Sequence, residues 1–128
     1  MNKLLFGILA VTNLSFGLSK TVECQSTDAN IKLGVTAEFP ERGNAKVEVK
    51  FAGAPNSIKF EAPVVQTFTL GNKLRKWEVS HKEDGFQSLT VVASDTVVYS
   101  AKYFSVDRFA EDRLEVNLKC NFKPRSLE

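Results

Sequence analysis

Histidine is almost missing from this chain: His81 is the single one in 128 residues. A zinc site needs several His, Cys or carboxylate ligands held close together, and His81 has no spaced companion. Cysteine is nearly as scarce, with Cys24 and Cys120 alone, so no paired-cysteine metal ribbon can be built. The chain also lacks a Gly-x-Ser-x-Gly elbow and a glycine loop of the kind that cradles phosphate. These absences predict a protein that is not an enzyme and carries no cofactor and no metal. Charge of one sign is lacking too, with 17 Lys and Arg against 15 Asp and Glu, which argues against a nucleic-acid partner. No linker, repeat or low-complexity tract interrupts the chain, and no long helical stripe of apolar residues appears.

Long apolar runs are missing apart from one, Leu4 to Val11, preceded by Lys3. That run is far short of the roughly 20 residues needed to cross a bilayer. Basic residue, apolar run and small residues around Ser15-Phe16-Gly17 have the order of a cleavable signal peptide. The expectation is a leader over residues 1–19, cut after Gly17 or Ser19, with no transmembrane segment. The short n-region reads as bacterial and places the protein in the periplasm or outside the cell. Cleavage would leave about 110 residues, the size of one domain with its own core, spanning 20–126.

What is present is alternation. Ile31, Leu33, Val35, Ala37 and Phe39 share one strand face, as do Ala45, Val47, Val49 and Phe51. Leu114, Val116, Leu118, Cys120 and Phe122 alternate with polar residues near the end. Period two over such lengths predicts strands with one face buried. Further strands are expected near 57–61, 64–70, 73–82, 86–93 and 97–105. Pro40 with Gly43-Asn44, residues 53–56, Pro63, Gly71-Asn72 and Asp84-Gly85 are the breakers, and a helical turn fits only at 105–112. The fold class is all-β: a single antiparallel β-barrel or β-sandwich of about eight or nine strands. Its second half is rich in meander connections. Val22 and Cys24 share a face, and Cys120 lies on the apolar face of the last strand. In an oxidising compartment the two cysteines then form one buried disulfide between terminal strands.

Turn chemistry sharpens the register. Gly71-Asn72 suits a two-residue type II′ turn that pairs Phe68 with Arg75, Gln66 with Trp77 and Val64 with Val79. A three-residue loop ending at a left-handed Gly85 pairs Trp77 with Val91, Val79 with Leu89 and His81 with Gln87. A two-residue loop there would mix polar and apolar faces, since one slip inverts every side chain. A three-residue loop at 94–96 would pair Val91 with Tyr99, Leu89 with Ala101 and Gln87 with Tyr103.

This register collects His81, Gln87 and Tyr103 at one end of the inward face, a polar group at the mouth of an apolar interior. At the other end Arg75 falls beside Phe68 and near Trp77, a setting for a cation–π contact or an aromatic-plus-arginine binding patch. Lys73, Arg75 and Lys76 form one basic cluster, and Lys119, Lys123 and Arg125 another. Asp107, Glu111 and Asp112 are a loose acidic group without the dense spacing of a calcium loop. Ser100-Ala101-Lys102-Tyr103 faintly resembles the serine-glycine-x-x-tyrosine segment of the small periplasmic lysozyme-inhibitor barrels. Alanine replaces the glycine and the tyrosine falls one place early, so the resemblance covers four residues and implies no membership. It keeps an inhibitor among the readings.

The functional expectation is an exported, monomeric, non-catalytic binding module for an unknown protein or glycan partner, such as an inhibitor or envelope accessory. The alternative is a carrier of a small apolar ligand in a barrel cavity.

Overall fold

The structure is a computed structural model that describes residues 19–69, 71, 73–83, 85–107 and 113–123. The expected leader falls outside these residues apart from Ser19, as do Glu111, Asp112 and Arg125. Eight strands follow one another: β1 (Lys20–Ser26), β2 (Leu33–Phe39), β3 (Asn44–Phe51), β4 (Ile58–Thr69), β5 (Leu74–Lys82), β6 (Gly85–Ala93), β7 (Val98–Asp107) and β8 (Arg113–Phe122). Each pairs antiparallel with the next, and β1 pairs with β8 to close a barrel. Closure abolishes the two edges an open meander would expose, so the barrel and not the sandwich is the outcome. No helix among the described residues is long and apolar enough to cross a membrane.

The inward faces follow the alternation. Val35, Ala37 and Phe39 of β2, Ala45, Val47 and Val49 of β3, and Val116, Leu118 and Cys120 of β8 are all buried. Ile31 precedes β2 and packs against this core from the loop. Trp77 fills one end of the interior, stacked on Phe39 at 4.7 Å and edge-on to Phe122 at 6.2 Å. Its indole N–H donates to Gln66 Oε1 at 2.7 Å, as a buried Trp requires.

The disulfide joins Cys24 to Cys120 across the closing seam. Its register can be derived. Thr27 N–H donates to Asn117 O, and Lys123 N–H to Thr21 O. Hydrogen-bonded pairs recur at every second residue, so Cys24 and Cys120 are a non-hydrogen-bonded pair. Facing residues approach most closely there, and the Cα atoms stand 4.0 Å apart.

Two expected registers are found as read from the turns. Val64 faces Val79, Gln66 faces Trp77 and Phe68 faces Arg75; Trp77 faces Val91, Val79 faces Leu89 and His81 faces Gln87. Gly85 holds a positive φ of 126°, as the three-residue loop demands.

Three expectations are corrected. Gly71 is not left-handed; Lys73 is, at φ 58°. Lys73 therefore belongs to the turn, and the last described pair of the ladder is Thr69 facing Leu74. Widening a hairpin loop by one residue on each side leaves the register unchanged, which is why the pairing survives the wrong turn type. Pro63 does not break a strand: β4 runs through it. Residues 58–63 pair with β3 and residues 64–69 with β5. Proline sits at the last rung of the β3 ladder, where a missing N–H costs least.

The third correction concerns β6 and β7. Leu89 faces Tyr103, Val91 faces Ala101 and Gln87 faces Ser105, with a bulge at Val92/Ala93. The turn is longer than expected because Ser94 organises it. Its N–H donates to Val97 O, and its hydroxyl accepts from the N–H groups of Thr96 and Val97. The register moves by two, so the faces keep their sense while every partner changes. In the same region, Ser105 to Asp107 belong to β7 and form no helical turn.

Candidate functional site

A closed meander gathers alternate turns at the same end. The start of β1, the turns 40–43, 70–73 and 94–97 and the end of β8 share one mouth. The ends of β1, β3, β5 and β7 share the other.

The first mouth carries Phe68, Arg75 and Trp77. The Arg75 guanidinium lies 5.7 Å from the Phe68 ring centroid and 3.3 Å from an Asp95 carboxylate oxygen. Lys20 Nζ lies 4.7 Å from the Phe122 centroid and donates to Asp95 O at 2.9 Å. Asp95 thus ties two cations together, and each cation covers an aromatic ring. Beneath them Trp77 is buried, so it serves the core and presents nothing to solvent. Phe68 is still 45% exposed beside Arg75, and beyond the cap Val97 and Tyr99 are exposed at 49% and 63%. Tyr99 owes its exposure to the bulge, which turns Val98 towards the core in its place. Val97 and Tyr99 escape a reading of the sequence for that reason: the signal lies in the Ser94 turn. The basic cluster is divided by its elements, with Lys73 in the turn, Arg75 over the mouth and Lys76 outward, 3.9 Å from Glu78.

His81, Gln87 and Tyr103 do come together at the second end, though Tyr103 is not at the rim. It is 1% exposed, and its hydroxyl donates to Gln87 Oε1 at 2.8 Å. Burial pushes the Tyr103 phenol above its ordinary pKa, and the Ser105 side chain offsets part of that shift. His81 stacks on Phe60 with centroids 5.6 Å apart, and its Nε2 lies 3.5 Å from Glu83. Its Nδ1 is buried without a partner among the described residues.

The stacking has a cause in the ladder. β4 leaves β5 below Val64, so Ser80 to Lys82 have no β4 partner, and the Phe60 and His81 rings fill the parted wall. Beside it lies a groove of about 570 Å³ whose lining includes Glu38, Lys46, Glu48, Lys59, Glu61, His81 and Glu83. Its floor is a cross-strand checkerboard: Glu38 faces Lys46, Lys46 faces Glu61 and Glu48 faces Lys59. Such alternation stabilises the sheet by opposite-charge pairing. No group of His, Cys, Asp and Glu among the described residues is placed to hold a metal ion.

Comparison with protein-family models, with curated proteins and with solved structures returns no match.

Proposed function

We propose that this chain is an exported, non-catalytic, monomeric module that binds another protein through the Phe68–Arg75 mouth, as an inhibitor or an envelope accessory. One observation carries the reading. Phe68, Val97 and Tyr99 stand exposed around one mouth while the interior beneath them is occupied by Trp77 and Phe39. Aromatic residues beside an arginine are the groups that anchor protein interfaces. Interior filling favours an outward surface over an inward ligand. A closed disulfide fits an oxidising compartment. It also leaves no free thiol among the described residues to act as a nucleophile.

The test is photocrosslinking from position 99 in a periplasmic extract, with the mature protein carrying a photoreactive residue in place of Tyr99. A discrete protein adduct is expected, and Phe68→Ser should abolish it while leaving circular dichroism unchanged. No adduct, or an adduct indifferent to Phe68→Ser, overturns the assignment.

The carrier reading draws on a separate feature, the parted β4–β5 wall at Phe60 and His81 with its adjoining groove. Native mass spectrometry of the purified protein separates the two readings. A co-purifying small molecule lost on Phe60→Ala would favour the carrier.

A further inference from the structure

The β3 ladder ends where Asn44 faces Pro63, and from Val64 onward β4 is paired with β5 alone. Among the described residues the other edge of β4 therefore has no strand partner over residues 64–69, a length of about 20 Å at the usual rise per residue. Proteins normally guard such an edge with lysine, proline, a bulge or extreme shortness. Here it reads Val-Val-Gln-Thr-Phe-Thr, without charge, proline or glycine and rich in residues suited to strands. Every residue from Val65 to Thr69 is exposed. The arm projects past the end of β3 as a template with one side used.

Cations stand at both ends of this edge. Arg42 precedes the first residues of β3 and so lies by the Val64 end. Lys73 sits in the distal turn, held at φ 58°. Neither has an ion-pair partner among the described residues. We infer that residues 64–69 of β4 accept an extended segment of a partner protein as an added strand, and that acidic side chains flank the segment. The inference rests on the binding-module reading above and names the docking edge and the chemistry of the occupant.

A second copy of this chain fits worse. Antiparallel pairing of two β4 edges about a two-fold axis carries the Lys73 turn of each copy towards the Arg42 turn of the other. Lysine and arginine then meet at both ends, with only Glu41 beside each Arg42 to offset them. An acidic segment turns both of these encounters into attractions, while its main chain meets the free N–H and C=O groups of the edge.

The test uses mature, oxidised protein and a displayed library of random peptides about twelve residues long, twice the length of the open edge. Selected peptides should carry Asp or Glu on both sides of a β-branched or aromatic centre. In NMR spectra they should perturb the amides of residues 64–69 and slow their hydrogen exchange. N-methylation of alternate peptide bonds should weaken binding by at least about tenfold, since it removes strand hydrogen bonds from the ligand without touching the fold. Arg42→Glu with Lys73→Glu should weaken it by a similar factor, and added salt should mimic the loss. Failure to select any peptide overturns the inference, as does selection of neutral peptides like the edge itself, which would point to self-association. Indifference to N-methylation overturns it too. Peptides whose footprint is confined to Tyr99 and Val97 overturn the edge while leaving the binding module intact. A β4 footprint without a crosslinked adduct at position 99 does the reverse.

Discussion

Breaking the Cys24–Cys120 bridge should lower stability by a large and calculable amount. Its partners are separated by 96 positions in the chain, and for a loop of that size the chain-entropy expression gives a ceiling of about 4.7 kcal/mol. Removal of native disulfides from small secreted domains costs about 2–5 kcal/mol in practice. Unfolding entropy of about 2.1 cal/mol/K per residue gives a domain of about 105 residues roughly 0.22 kcal/mol/K, so Tm should fall by about 9–23 °C. The perturbation is Cys24→Ala with Cys120→Ala, read by calorimetry at neutral pH beside the oxidised parent. A second reading locates the effect. Every other ladder joins strands adjacent in sequence, whereas β1 and β8 meet only after the whole chain has been ordered. The seam bears the largest closure cost, so amides of β1 and β8 should be the first to lose hydrogen-exchange protection in the variant. A fall in Tm under about 5 °C would refute the entropic argument, and a uniform loss of protection would refute the seam.

Three further outcomes follow from local geometry. Gly85→Ala should cost about 1 kcal/mol, because a Cβ at positive φ is penalised; an unchanged denaturant midpoint would reject the bulged loop. Lys73→Gly should act oppositely, relieving up to about 1 kcal/mol at the left-handed position, with a rise in midpoint as the reading. The third outcome concerns the Tyr103 phenol, whose pKa burial raises in the folded protein. The folded state therefore favours the protonated form. Its contribution is fully present below the unfolded value of about 10 and is lost as pH climbs through the higher folded value. Alkaline unfolding curves of the parent and Tyr103→Phe should converge as pH rises through that window. Curves that stay parallel would contradict the shift.

Much of this barrel is legible in the sequence, and the reason is parity. Two-residue periodicity assigns each side chain of a strand to the inside or the outside. It therefore placed Cys24, Cys120, Trp77 and Val79 inside without knowledge of the partners. Hairpin pairing was legible where apolar residues occupied both strands on one face, as at Val64–Val79 and Val79–Leu89, because a slip of one residue would have exposed them. A slip of two preserves parity and leaves no trace in the pattern. The β6–β7 register could thus be misjudged by that amount, and Tyr103 taken for a rim residue when it is buried. The Gly71 turn type was illegible for a related reason: two-residue and four-residue loops give the same pairing.

The sequence by itself determined the inward placement of both cysteines and the two-residue alternation that builds the buried faces. Those are local properties, set by residue type and by the pleat. Only the tertiary structure decided that the sheet closes, that β4 changes partners at Pro63, and that six residues of its edge have no strand partner among the described residues. Closure and partner exchange depend on how strands of unequal length meet around a cylinder. A strand's own residues record which face is buried and keep no record of which neighbour stops short.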